Sequence, residues 1–197
     1  MRIYLATGNA GKLREFQALL GNAVELVMPE AYAAPEENQD TYEGNAAIKA
    51  RALAAQVRAR DPEAMVLSDD SGISVDALGG APGVHSADFG GEALSWSERR
   101  EALLRALEGM PEELRTARFV DVLYLDRPRA APLVVRGEVE GIVPLREHGE
   151  GGFSFDAVFY YPPLGRTFAE LTEEEKNRVS HRGIAVRRLL AMLGSES

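Results

Sequence analysis

The chain has 197 residues, enough for one domain with a substantial core or one domain divided into two lobes. It contains no cysteine, which excludes disulfides, thiolate metal sites and a cysteine nucleophile. A formal net charge of -9 argues against a nucleic-acid partner, no apolar run is long enough to span a membrane, and Ile3 to Ala6 is too short for a signal peptide, so the cytosol is the expected compartment.

In chain order, residues 2–6 read as a short buried strand, 7–10 as a turn and 11–20 as a helix, because Leu13, Phe16, Leu19 and Leu20 recur at helical spacing. Residues 24–28 form a second strand, parallel to the first in a βαβ unit. Residues 29–40, with Pro29 and Pro35, form a polar loop. Thr41 caps a long helix that runs to about residue 59, before Asp61-Pro62. Residues 64–67 form an apolar strand that ends in Ser68-Asp69-Asp70-Ser71-Gly72, and 73–75 continue it briefly. Residues 78–91 are an irregular, glycine-rich loop. Ser95 caps a helix to about residue 107, and 111–116 connect it onward. Residues 118–125 and 133–143 are two long strands, expected as an antiparallel pair contributing to a second lobe. After a glycine-rich stretch at 147–152, the aromatic segment 153–161 is strand-like and ends at Pro162-Pro163. Thr172 and the acids after it start a last helix running to about residue 193, broken near Ser180 or Gly183. The expected fold class is α/β: a mixed twisted sheet with flanking helices.

Several segments carry candidate chemistry. Thr7-Gly8-Asn9-Ala10-Gly11-Lys12 joins a strand to a helix. Its glycines admit a ligand to the backbone, N–H groups at a helix start attract anions, and Thr7, Asn9 and Lys12 add donors. It is not a P-loop: Gly8 and Lys12 stand too close, and Leu13 occupies the place of the metal-binding hydroxyl. An ordinary βα turn with a surface lysine is the plain alternative. Asp69-Asp70-Ser71-Gly72 puts paired carboxylates at a strand end, where open α/β sheets present ligands. Such a pair suits magnesium, and mutual repulsion leaves one acid able to act as a base. A turn whose acids only cap N–H groups explains it as well.

Asn45 and Lys49 are four apart and share a helix face, and Glu43, near the helix start, faces either a metal or solvent. Phe153-Ser154-Phe155-Asp156 offers a ring to stack on a base and an acid to read its edge, though a core strand suits Phe155 better. Lys176 with Ser180-His181-Arg182 supplies donors that accept a 6-keto group and leave a 6-amino group unsatisfied; cations at a helix end are the alternative. His85 and His148 read as structural or solvated, and Trp96 as packing. Only Lys12, Lys49 and Lys176 are lysines among 22 basic residues. A compact ammonium fits a single phosphate oxygen where the arginine fork does not.

Taken in order, Ala6-Thr7-Gly8-Asn9-x-x-Lys12, Asn45-Ala46-x-x-Lys49-Ala50, Asp69-Asp70-Ser71-Gly72, Leu78-Gly79-Gly80-x-Pro82-Gly83, Leu171-Thr172-x-Glu174-Glu175-Lys176 and Ser180-His181-Arg182-Gly183 resemble the inosine triphosphate pyrophosphatase family, also described as XTP/dITP pyrophosphatases. The resemblance covers almost the whole chain, and all three lysines fall inside it. It implies one pyrophosphatase domain over residues 1–197, elongated, with two lobes around a central cleft, and a homodimer. It implies that Thr7 to Lys12 and Lys49 bind the substrate, that Ser71 touches it, and that Asp70 binds magnesium and serves as general base, helped by Asp69 or Glu43. Phe153 to Asp156, Lys176, His181 and Arg182 would form the base pocket.

The implied activity is magnesium-dependent hydrolysis of ITP, dITP and XTP to monophosphate and pyrophosphate. Two departures bear on it. The family's base-pocket motif reads Phe-Gly-Tyr-Asp-Pro, against Phe153-Ser154-Phe155-Asp156-Ala157, and Gly44 stands where the family often has Glu. A house-cleaning pyrophosphatase for modified pyrimidine nucleotides, a nucleotide-binding regulator without turnover, and a phosphotransferase using an Asp nucleophile are the alternatives.

Overall fold

The computed structural model describes residues 1–29 and 32–195. It opens with β1 (Arg2–Leu5), α1 (Ala10–Leu20) and β2 (Glu25–Val27), with β1 and β2 parallel in the register Ile3↔Leu26. The Asn9 side chain starts α1 by accepting from the N–H groups of Gly11 and Lys12. Phe16 and Leu20 form its buried face; full burial of Phe16 stabilises the fold by roughly 2–3 kcal/mol. Of the expected polar loop at 29–40, residues 30 and 31 lie outside the described residues. Thr41 caps α2 (Tyr42–Val57) through its side chain.

β3 (Met65–Val75) runs parallel to β1. Here the structure corrects the sequence: the strand does not end before the acids but carries Ser68, Asp69 and Asp70 in its interior. These polar residues can be buried because neighbouring elements satisfy them. Ser68 Oγ donates to the Ala46 carbonyl at 2.6 Å, and both aspartates meet lysines.

Then follow α3 (Trp96–Ala106), β4 (Thr116–Asp126), β5 (Leu133–Ile142), β6 (Tyr160–Tyr161), β7 (Arg166–Thr167), α4 (Glu173–Val179) and α5 (His181–Ser195). The sheet has the order β2-β1-β3-β4-β5-β6-β7, parallel at β1 with β2 and β3, antiparallel at β6 with β5 and β7. It is a mixed sheet of an α/β fold, as expected. Buried and more exposed residues alternate along β5, the pattern of a strand with one covered face. The expected break in the last helix falls at Ser180, which is buried and extended between α4 and α5.

Segment 153–161 is not a strand. It holds a turn, a short 3-10 helix at Asp156–Val158, and only then β6. Ser154 has a φ of 59°, which no strand accommodates, and the Asp156 carboxylate folds back to accept from the Phe153 N–H at 2.7 Å.

The chain forms two compact units. The first comprises Met1–Asp70, Asp121–Gly137 and Arg182–Ser197, with a core that includes Ile3, Leu5, Phe16, Leu67, Leu123 and Leu189. The second comprises Ser71–Val120 and Glu138–His181, with a core that includes Ile73, Leu103, Phe119, Phe155, Phe159 and Phe168.

Candidate active site

In the first unit, the first turn of α1 carries Lys12 to β3, where its Nζ lies 2.5 Å from Asp69 Oδ2. Burial alone would raise the Asp69 carboxyl, but Lys12, Arg182 and Lys49 together hold it below the ordinary range. Asp69 is therefore a committed counter-ion of Lys12. One residue on, Asp70 Oδ1 lies 3.2 Å from Lys49 Nζ, and that ammonium is also 2.5 Å from Glu37 Oε2. Burial and then the charge of Glu37 push Asp70 up to about 6 against the opposing pull of Lys49. Its second oxygen, Oδ2, is buried and has no hydrogen-bond partner among the described residues. Lys49 titrates higher than usual: burial opposes its charge, but Asp69, Asp70 and Glu37 outweigh it.

Sequence reasoning missed Glu37. It lies in an irregular polar stretch whose spacing carries no signal. Its place is fixed by Asn45, one turn before Lys49 on α2. The Asn45 Oδ1 accepts from Gln39 N–H at 3.0 Å, and its Nδ2 donates to the Gln39 carbonyl at 3.2 Å, which ties the incoming chain to the helix. Glu43, expected near Asp70, is not brought there. Its carboxylate faces Arg136 at 3.4 Å and is half exposed. Three- and four-residue spacing puts Asn45 and Lys49 on one face of α2, and Glu43, two before Asn45, falls on another.

In the Thr7–Lys12 turn, Thr7 Oγ1 accepts from Asn9 N–H at 3.1 Å. A Cβ on Gly8 would meet nothing within 4 Å, so the backbone there is open. Ser71 is half-buried in β3, directly after Asp70. Arg182 belongs to the first unit. It is buried, with Nη1 2.8 Å from Glu15 Oε2 on α1. The extended Ser180 ends α4, and α5 starts at His181.

Sequence reasoning also passed over Asp121, in β4. It is fully buried, neither carboxyl oxygen has a hydrogen-bond partner among the described residues, and burial, then the charge of Asp69, push it up to about 8.

In the second unit, Lys176 on α4 reaches Asp156 Oδ2 at 2.7 Å, and both are buried. The Lys176 ammonium also lies 4.8 Å from the centroid of the Phe153 ring. Ring, ammonium and carboxylate thus meet as expected: a surface to stack on, a donor and an acceptor. The Arg100 Nη1 donates to the Ser154 carbonyl at 3.0 Å and holds the turn between Phe153 and Asp156. Phe155 is core, fully buried and edge-on to Trp96 at 5.6 Å. His181 stacks on Phe119 with centroids 4.7 Å apart.

Comparison with known proteins bears on this arrangement. The model of the Ham1 family matches residues 3–192. A dITP/XTP pyrophosphatase of Exiguobacterium sibiricum is 44% identical over 197 residues, covering 98% of this chain and 97% of its own. A dITP/XTP pyrophosphatase of Thermus thermophilus is 44% identical over 193 residues, covering 96% and 90%. Among solved structures, a HAM1 protein from Coxiella burnetii superposes with a TM-score of 0.87 at 37% identity over 99% of both chains. On sequence and fold alike, the chain belongs to the Ham1 family.

Proposed function

We propose that this chain hydrolyses deaminated purine nucleoside triphosphates, namely ITP, dITP and XTP, to monophosphate and pyrophosphate with magnesium. The observation that carries the reading is the Lys12–Asp69 and Glu37–Lys49–Asp70 cluster, in a chain whose similar proteins are dITP/XTP pyrophosphatases. Two ammoniums suit a phosphate chain, and a half-spent buried carboxylate suits a base.

The donor set fits a hard divalent ion. Asp70 keeps one oxygen without a partner, and Glu37 shares its lysine. Among the described residues no group of three or more metal-ligating side chains occurs. Magnesium needs only one or two carboxylates when substrate oxygens and water complete its shell. Glu37 and Asp70 are therefore the holding residues, in place of Glu43; Asp69 is taken by Lys12. When bound there, the ion supplies charge neutralisation at the phosphate oxygens.

The Asp70 carboxylate orients the attacking water and takes its proton as the bond to the α-phosphorus forms. Lys12 and the Thr7–Lys12 turn hold the departing pyrophosphate, and Lys49 keeps Asp70 and Glu37 in place. In the second unit, Lys176 donates to a 6-keto oxygen, Asp156 accepts from the adjacent ring N–H, and the Phe153 ring stacks on the base. Adenine presents a 6-amino group there and leaves the ammonium unsatisfied. Guanine shares the 6-keto group and differs at its 2-amino group. By family resemblance the enzyme works in the cytosol as a homodimer.

The test is incubation with magnesium and ITP, XTP, dITP, GTP or ATP, with separation of products. Monophosphate plus pyrophosphate from the first three, little from ATP, and a loss of at least about a hundredfold in Asp70→Asn are expected. No pyrophosphate from any nucleotide overturns the reading.

A further inference from the structure

Tyr32 lies five residues before Glu37 in the first unit, in the stretch that Asn45 ties to α2. Its hydroxyl oxygen is buried and has no hydrogen-bond partner among the described residues. The charges acting on it are Lys49, Glu37 and Asp69, the same groups that make up the phosphate and metal cluster. Burial, foremost, raises its pKa, so the phenol keeps its proton at neutral pH and remains a donor. One oxygen of each neighbouring carboxylate is already taken: Glu37 Oε2 and Asp70 Oδ1 by Lys49, and Asp69 Oδ2 by Lys12. A buried phenol seldom stays unsatisfied, and with no partner among the described residues this one is satisfied by an acceptor that enters with the substrate. In a cluster that holds a triphosphate chain, the entering acceptor is a phosphate oxygen.

Building on the pyrophosphatase reading, we propose that Tyr32 is a further substrate-binding residue, whose hydroxyl donates to a non-bridging oxygen of the bound triphosphate chain. A neutral donor serves a purpose that a third lysine would not. It grips the phosphates without adding a charge that competes with the metal for Glu37 and Asp70.

The experiment compares Tyr32→Phe with the parent in three measurements: turnover of ITP, calorimetric binding of inorganic tripolyphosphate with magnesium, and melting of the free protein. A lost hydrogen bond to a charged acceptor weakens tripolyphosphate binding about tenfold or more and raises KM for ITP similarly, with the loss falling on KM rather than kcat. The free variant melts no lower than the parent, because the deleted hydroxyl has no partner to lose, while the ligand-induced rise in Tm shrinks.

Tripolyphosphate affinity within twofold of the parent overturns the proposal and means that the hydroxyl meets only water. A lower Tm of the free variant, with kcat and KM both damaged, also overturns it in favour of a structural role. The outcomes separate from the pyrophosphatase reading. A parent that turns over ITP beside an unchanged Tyr32→Phe sinks the tyrosine alone. A parent without turnover, whose tripolyphosphate binding still falls in Tyr32→Phe, sinks only the reaction.

Discussion

Asp121 stands between Val120 and Val122 in β4, fully buried in a run of apolar neighbours, with the charges of Asp69, Arg182, Lys12 and Glu15 about it. Lys12 is held by Asp69 and Arg182 by Glu15, so the two cations that act on Asp121 are already matched. An ionised Asp121 would be a surplus buried charge, and burial together with the charge of Asp69 keeps it protonated up to about pH 8. The consequence for stability has a definite sign. In the unfolded chain this carboxyl ionises near pH 4, while the folded chain retains the proton. Between those values the folded state binds more protons, so stability falls as pH rises from about 4 to about 8 and levels beyond. Asp121→Asn removes this dependence. Urea denaturation of the nucleotide-free protein should show the variant gaining on the parent across that window, by at most about 1.4 kcal/mol for each pH unit, and no further above it. A difference that does not vary with pH would mean that Asp121 is ionised in the folded chain.

The turn from Phe153 to Asp156 shows how an element is set by one backbone angle. Ser154 occupies the left-handed region at a φ of 59°, where a side chain costs roughly 1 kcal/mol and glycine costs little. Its tether, the bond from Arg100, uses a main-chain carbonyl and survives any substitution. Ser154→Gly should therefore stabilise the protein by up to about 1 kcal/mol in chemical denaturation, less what the glycine loses in chain entropy; a clear loss would show that the serine hydroxyl is needed. The same turn marks a limit of what the sequence tells. Phe153, Phe155, Phe159 and Tyr161 alternate as a strand does, yet the segment curls, because a local carboxylate-to-backbone bond outcompetes the sheet. Elements whose signal lies in side-chain period and caps were legible: α1 from its apolar spacing, α2 with its Thr41 cap, and the break at Ser180. β3 was legible on either side of its acids but not through them, since burying Asp69 and Asp70 depends on lysines far along the chain. Lys12, Lys49 and Asp70 in the first unit, and Asp156 and Lys176 in the second, could be picked out by type and spacing. Glu37, Tyr32 and Asp121 could not, because only the folded chain brings them to those groups.

At the scale of the molecule, charge sets the terms on which a triphosphate approaches. The chain carries a net charge of -9, which repels a polyanion at a distance. The cluster in the first unit does not reverse this. Lys12, Lys49 and Arg182 are ion-paired with Asp69, Glu37, Asp70 and Glu15, three cations against four carboxylates. In the second unit Lys176 is matched by Asp156. No surplus positive charge remains in these groups to draw in a nucleotide, in contrast to a groove lined with unpaired lysines. The missing charge has to arrive with the divalent ion, so affinity depends on metal more than a count of lysines suggests. Chelation with EDTA should weaken ITP binding by at least about a hundredfold in calorimetry, for the parent and for Asp121→Asn alike. At fixed free magnesium, kcat/KM should stay level or rise as salt goes from about 20 to 150 mM, because the ions screen a repulsive field. A steep fall would instead reveal attraction by a cationic funnel, and the balanced pairs would then have to open before the substrate arrives.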